Sequence, residues 1–179
     1  LKVRFKNTVG LRAYQKILAQ FLIAGILAAY AYNSPFLGSR IYLAFFSLEW
    51  DLGVFYIPAM MFVIIATVNS VNLTDGLDGL ASGVTLVYAL TMSVIFLFMS
   101  MAMKSPAGMG QAQQTQYAAE LNSMAIFAAA VAGGCLGFLR FNSFPARVFM
   151  GDTGSLALGG AIAVMAIFSR AVLLLPIMG

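Results

Sequence analysis

The sequence has 179 residues, of which 61% are hydrophobic and 9% charged, with no histidine and a formal net charge of +4. A water-soluble domain carries roughly a quarter charged residues, so the composition excludes an ordinary soluble globule and points to a membrane protein. The single Cys135 excludes an internal disulfide; inside AAAVAGGCLGF it reads as a small buried residue.

A helix that crosses a bilayer needs about 20 mainly apolar residues, because the hydrocarbon core is about 30 Å thick and each residue rises about 1.5 Å. No signal-peptide pattern stands at the start. The run LKVRFK lacks a leading Met and Gly179 ends an apolar run, as expected of a segment of a longer membrane protein. The first predicted span is 17–32, extending upstream into Gln15 and closed by Asn33-Ser34-Pro35. Residues 36–51, FLGSRIYLAFFSLEWD, are aromatic and β-branched without a helical period, which predicts a small hairpin at the interface, where Tyr and Trp prefer to sit. Further spans are predicted at 52–71, 80–103 and 121–139, with the polar stretch KSPAGMGQAQQTQYAAE as a loop before the last of them. A fifth span, 155–168, is shorter and rich in glycine, and a sixth begins at Ala171. The runs GGCLG (133–137) and LALGG (156–160) read as helix-packing surfaces. The expected fold class is all-α: a polytopic transmembrane helix bundle of about five spans plus the start of a sixth, one domain over 1–179.

If the spans alternate, Lys2, Arg4, Lys6, Arg12, Lys16, Arg140 and Arg147 share one membrane face, and Arg40, Lys104 and Arg170 share the other. That asymmetry predicts the first face to be cytoplasmic. Asp75, Asp78 and Asp152 fall on the same face, whereas Glu49, Asp51 and Glu120 fall opposite. Charge is therefore concentrated at helix ends on one side of the membrane.

Between two apolar spans stands NLTDGLDGLASG (72–83). Asp75 and Asp78 are three apart and would share a face on a helix. Gly76 and Gly79 weaken regular helix and let backbone approach a ligand closely. Two nearby carboxylates repel, which raises one pKa unless a cation neutralises them, and Mg²⁺ accepts one or two carboxylates while keeping waters or substrate phosphates. Asn72 and Thr74 add hydrogen-bonding groups. Taken alone, the same turn also reads as a solvated loop in which Asp75 or Asp78 caps the next helix. A second stretch, FLRFNSFPARVFMGDTGSLALGG (138–160), lies on the same predicted face with Asn142, Arg147, Phe149, Asp152 and Ser155. GDTGS has the form of a helix start, with Asp152 or Thr153 as N-cap and amides available to an anion. Arg147 suits a phosphate, and Phe149 either stacks on a planar ring or simply packs. Arg140, Arg147 and the N-terminal cations also read as inside-positive anchors, with Lys16 at the mouth of the first span placed to hold phosphate. Together these features describe a site of three carboxylates, cations and an aromatic for a phosphorylated, nucleotide-like substrate that meets a lipid.

These two stretches resemble the signature segments of the polyprenyl-phosphate N-acetylhexosamine-1-phosphate transferases. NLTDGLDGLA, with Thr74, and LALGG after GDTGS resemble the branch of phospho-N-acetylmuramoyl-pentapeptide transferases in particular. The resemblance implies an integral enzyme of the bacterial plasma membrane with its site toward the cytoplasm. The partners it implies are UDP-N-acetylmuramoyl-pentapeptide, undecaprenyl phosphate and membrane lipids, with no nucleic acid and with a homodimer as a permitted assembly. The implied reaction is attack of undecaprenyl phosphate on the β-phosphate of the UDP donor, releasing UMP, with Mg²⁺ as cofactor. It further implies that Asp152 binds the metal, that Asp75, Asp78, Asp152 and Lys16 belong to the catalytic set, and that Asn72, Thr74, Asn142, Arg147, Phe149 and Ser155 line the substrate. Phe149 would stack on uracil, and Ser155 would support Asp152. The family also carries an Asp-Asp pair followed by Lys upstream of a run like LKVRFK, and a histidine-rich motif further on. This chain has neither, as expected if it is a central segment whose activity needs the rest of its protein.

Two rivals differ in class or substrate. A sibling enzyme would transfer N-acetylglucosamine-1-phosphate; Thr74 argues against it. A secondary transporter would place ionisable groups near the bilayer midplane, whereas Asp75, Asp78 and Asp152 stand at predicted span ends.

Overall fold

The computed structural model describes residues 13–43, 48–102, 110–170 and 172. Five long helices carry the architecture: α1 (Ala13–Asn33), α2 (Tyr56–Thr74), α3 (Leu80–Ala102), α4 (Gln111–Asn142) and α5 (Gly151–Phe168). Each is long and apolar enough to cross a membrane, and α1 turns Leu18, Leu22 and Ile26 outward, a surface suited to lipid rather than water. The chain is an integral membrane protein. Between α1 and α2, β1 (Arg40–Leu43) pairs antiparallel with β2 (Leu48–Asp51), so Arg40 faces Asp51. The hairpin predicted over 36–51 is thus confined to 40–51, and Phe36 and Leu37 are instead buried in the helix bundle. Asp51 ties the hairpin down: its Oδ1 accepts from Ser39 Oγ at 2.5 Å and from Gly53 N at 2.9 Å. These two bonds hold its carboxyl below the ordinary aspartate range.

Among the boundaries that differ from expectation, three have a bearing on where polar residues stand. Helix α4 starts at Gln111, so most of the polar stretch expected as a loop is helical. Gly110, in extended conformation, sets its start, and no proline follows until after Asn142. At about 1.5 Å per residue its 32 residues exceed a hydrocarbon core of about 30 Å, so polar first turns fit outside the apolar layer. Helix α2 runs on to Thr74, placing Asn72 and Thr74 on its last turn rather than in a loop. Helix α5 begins at Gly151, four residues before the predicted 155. Beyond Val172, the predicted sixth span lies outside the described residues, as do Lys2, Arg4, Lys6, Arg12 and Lys104.

Two apolar clusters share α5. In one, Ala89, Met92 and Phe96 of α3 meet Leu121, Ala125 and Ala128 of α4, with Ile162 and Met165 of α5. In the other, Ala24, Ala28 and Ala31 of α1 meet Met60, Ile64 and Val68 of α2, with Ala163 and Ile167 of α5. Small residues let these helices approach closely. The extreme is Gly159, where an added Cβ would stand 2.6 Å from Val68 Cα; the expected packing role of LALGG is met there. GGCLG behaves differently: Cys135 is buried with Ala128 and Ala132, but Gly133, Gly134 and Gly137 are exposed, with open space beside them. The alternation of helices brings the start of α1, the end of α2, the start of α3, the end of α4 and the start of α5 to one end of the bundle. The hairpin lies at the other end, where the Arg170 guanidinium donates to the backbone carbonyls of Phe36 and Leu37.

Candidate active site

The site is assembled where both aspartate-bearing stretches meet. Asp152 lies in the first turn of α5 and keeps 56% of its side chain exposed. Its Oδ2 pairs with the Lys16 ammonium from α1, and its Oδ1 lies 3.4 Å from Asn72 Nδ2 on α2. The same Asn72 amide donates to Ser155 Oγ at 2.7 Å. Ser155 is fully buried and donates to Gly151 O at 3.1 Å. It therefore supports Asp152 through Asn72 rather than by touching the carboxylate. Three helices converge on one exposed carboxylate. The expected N-cap role of Asp152 or Thr153 is not found: Met150 precedes the helix, with no side-chain cap, and Gly151 takes a positive φ of 66° to enter α5.

Asp75 and Asp78 do not lie on one helix face, because α2 stops at Thr74. Asp75 closes α2, its N–H bonded to Val71 O at 3.2 Å. Its carboxylate interacts with Asp152 and with the backbone N–H of Gly151. Asp78 turns the other way and accepts from Ala146 N at 3.0 Å, so it caps no helix. The expected single group of three carboxylates is accordingly divided: Asp75 with Asp152 on one side, Asp78 with the 143–150 segment on the other. Among the described residues no three carboxylate or thiol side chains gather as a metal cage. Thr74 donates its hydroxyl to Ser70 O at 2.9 Å, back along its own helix. Asn142 is 3% exposed and bonded inside the protein. Arg147 is exposed, and Phe149 presents 74% of its surface to the outside; it is not core packing.

Reading the sequence missed two polar links. Gln20 accepts from Asn69 Nδ2 at 2.9 Å, tying α1 to α2 one turn away from Lys16 and Asn72. Ser82, fully buried, donates to Asn142 Oδ1 at 2.9 Å. The available signal was the polarity itself, since an amide or hydroxyl inside an apolar span needs a partner.

The donor set fits Mg²⁺, which takes one or two carboxylates and fills its remaining positions with water and phosphate oxygens. Burial, and then the negative charge of Asp152, hold the Asp75 carboxyl above the ordinary aspartate value of 3.8, against a lowering by the Gly151 amide. The folded state thus binds that proton more tightly than the unfolded chain does. The ionised carboxylate costs stability at neutral pH, and the cost disappears as pH falls through the raised folded value. In EDTA, Asp75→Asn should therefore unfold at or above the wild-type temperature at pH 7, and the difference should shrink toward pH 4. A lower unfolding temperature for the variant at pH 7 would contradict this electrostatic picture.

The chain matches the model of glycosyl transferase family 4 over residues 6–170. It is 46% identical over all 179 residues to the phospho-N-acetylmuramoyl-pentapeptide-transferase of Clostridioides difficile (strain 630), covering 50% of that protein. It is 44% identical over its whole length to the protein of that name from Caldanaerobacter subterraneus subsp. tengcongensis, covering 50% of it, and 42% identical to that of Clostridium novyi (strain NT), covering 49%. The chain spans about half the length of the curated relatives it matches. With a family match across nearly the whole chain, and with both aspartate motifs meeting at one end of an apolar bundle, the chain belongs to glycosyl transferase family 4.

Proposed function

We propose that the full-length protein containing this chain transfers phospho-N-acetylmuramoyl-pentapeptide from its UDP-linked donor to undecaprenyl phosphate, at the cytoplasmic face of a bacterial plasma membrane. The observation that carries the reading is the convergence of Lys16, Asn72, Asp75 and Asp152 where apolar helices end. A water-soluble phosphosugar donor and a lipid phosphate can meet only at such a boundary. The whole-chain likeness to proteins named for this activity supports the choice of donor.

In this reaction an oxygen of the acceptor phosphate attacks the β-phosphorus of the donor. The new P–O bond forms, the bond to the bridging oxygen breaks, and UMP leaves with that oxygen. Catalysis of such transfers is mainly positioning and charge stabilisation. Asp152, with Asp75 beside it, would hold Mg²⁺, which when bound neutralises charge on the diphosphate. Asn72 fixes the Asp152 carboxylate against α2, and Ser155 fixes Asn72. Lys16 brings a positive charge to the same place, where it would face the donor phosphates. Arg147 offers a guanidinium to a phosphate, and the exposed Phe149 offers its face to uracil. Asp78, held by the Ala146 amide, belongs to the nucleoside side. A transporter is disfavoured because Asp75 and Asp78 lie in a turn and Asp152 on a first helical turn, not at mid-span.

The test uses the full-length protein in detergent with undecaprenyl phosphate, Mg²⁺ and either UDP-N-acetylmuramoyl-pentapeptide or UDP-N-acetylglucosamine. Release of UMP and a lipid product from the muramoyl donor alone, lost in EDTA, is the expected result. Product from the glucosamine donor alone would move the protein to the sibling reaction. The Thr74 hydroxyl, bonded into its own helix, would then have no part in donor choice.

A further inference from the structure

Asn142 ends α4, and its side chain is a junction rather than a free ligand. Its Oδ1 accepts from Gly79 N at 3.1 Å and from Ser82 Oγ at 2.9 Å, which occupies both lone pairs. Its Nδ2 donates to Val148 O at 2.9 Å. Ser82 is fully buried, and its one hydroxyl proton goes to the nearer acceptor, Asn142, since Gly79 O is 3.5 Å away. Gly79 has φ +74°, and a Cβ there would stand 3.4 Å from Leu139 Cδ2, so the turn lies tight against the end of α4. From the other side, Asp78 Oδ2 accepts from Ala146 N. The turn holding both aspartates, the start of α3 and the segment carrying Arg147 and Phe149 are thus locked through one carboxamide.

We propose that Ser82 is a positioning residue for the nucleotide half of the donor: through Asn142 it fixes the 143–150 segment, and so sets where Phe149 and Arg147 meet the uridine phosphate. The inference rests on the UDP-linked donor proposed above. It also gives Asn142 a role inside the protein in place of direct substrate contact.

Loss of one buried hydrogen bond shifts an equilibrium by roughly tenfold. In the full-length protein in detergent, Ser82→Ala should weaken UMP binding about tenfold by calorimetry, raise the KM for the donor about as much, and leave kcat within about threefold. Amides of 143–149 should exchange with deuterium about tenfold faster. The control is Thr85→Val, which removes an equally buried hydroxyl from the same helix; Thr85 donates only to Ala81 O, at 2.7 Å. It should change neither UMP affinity nor exchange in that segment. The joint is overturned if Ser82→Ala binds UMP and exchanges like wild type, or if Thr85→Val loses as much. A wild-type protein that binds no UMP would instead sink the donor reading, and this inference with it.

Discussion

Asp152→Asn in the full-length enzyme should lower Mg²⁺-dependent turnover by about a thousandfold or more, as expected when a charge that organises phosphoryl transfer is removed. Its unfolding temperature should hardly move. The replacement is isosteric, and its carbonyl oxygen can still accept from Asn72, so the link through Ser155 survives. What is lost is the charge and with it the pairing to Lys16. Both partners are substantially exposed, with side-chain exposures of 33% and 56%, and exposed pairs contribute only about 0–1 kcal/mol. A large loss of rate with a small loss of stability is the signature of a group retained for chemistry. Rates like wild type would remove Asp152 from the metal site. A fall in stability as large as the fall in rate would make the residue structural.

The contrast between Asp152 and Asp78 shows what the sequence made legible. Apolar run length sufficed to locate the five spans, because the bilayer fixes how long a crossing helix must be. The resemblance carried by NLTDGLDG and GDTGS singled out residues on separate helices, and the fold brings Lys16, Asn72, Asp75 and Asp152 among them to one end of the bundle. The spacing within NLTDGLDG suggested that Asp75 and Asp78 act together, which holds only if the helix continues. It stops at Thr74, and the two carboxylates then part, one toward Gly151 and the other toward Ala146. Where a side chain beyond a helix end points is decided by its tertiary partner, and for Asp78 that partner, the Ala146 amide, is 68 residues away. The polar start of α4 differs from the expected loop for a local reason: glutamine and alanine are good helix formers even where hydropathy is low. The hydroxyl of Ser82 inside an apolar span calls for a partner but does not name it, since its role depends on Asn142 lying against it.

Gly159→Ala carries the other large expected effect, one that begins far from any charged group. The glycine lies inside α5, where alanine would ordinarily favour the helix by about 1 kcal/mol. Here a Cβ would stand 2.6 Å from Val68 Cα, 3.1 Å from Val68 O and 3.3 Å from Thr67 O. These neighbours are backbone, so no rotamer change relieves the clash, and α2 and α5 must move apart. Overpacking of this kind costs about 1–3 kcal/mol. The consequence reaches the site because of helical spacing: Asn72 is one turn beyond Val68 on α2, and Ser155 is one turn before Gly159 on α5. The 2.7 Å bond between Asn72 and Ser155 therefore depends on the close approach at Gly159. With the helices separated, Asn72 no longer restrains Asp152, and turnover should fall by about tenfold or more together with the unfolding temperature. Shortening Val68 to Ala should not restore either, since the obstructing atoms are its backbone. The matched control is Gly160→Ala, where a Cβ meets nothing within 4 Å; that variant should be as stable as wild type or slightly more so, with full activity. Equal behaviour of the two alanine variants would show that the backbone contact between α2 and α5 does not hold the site together.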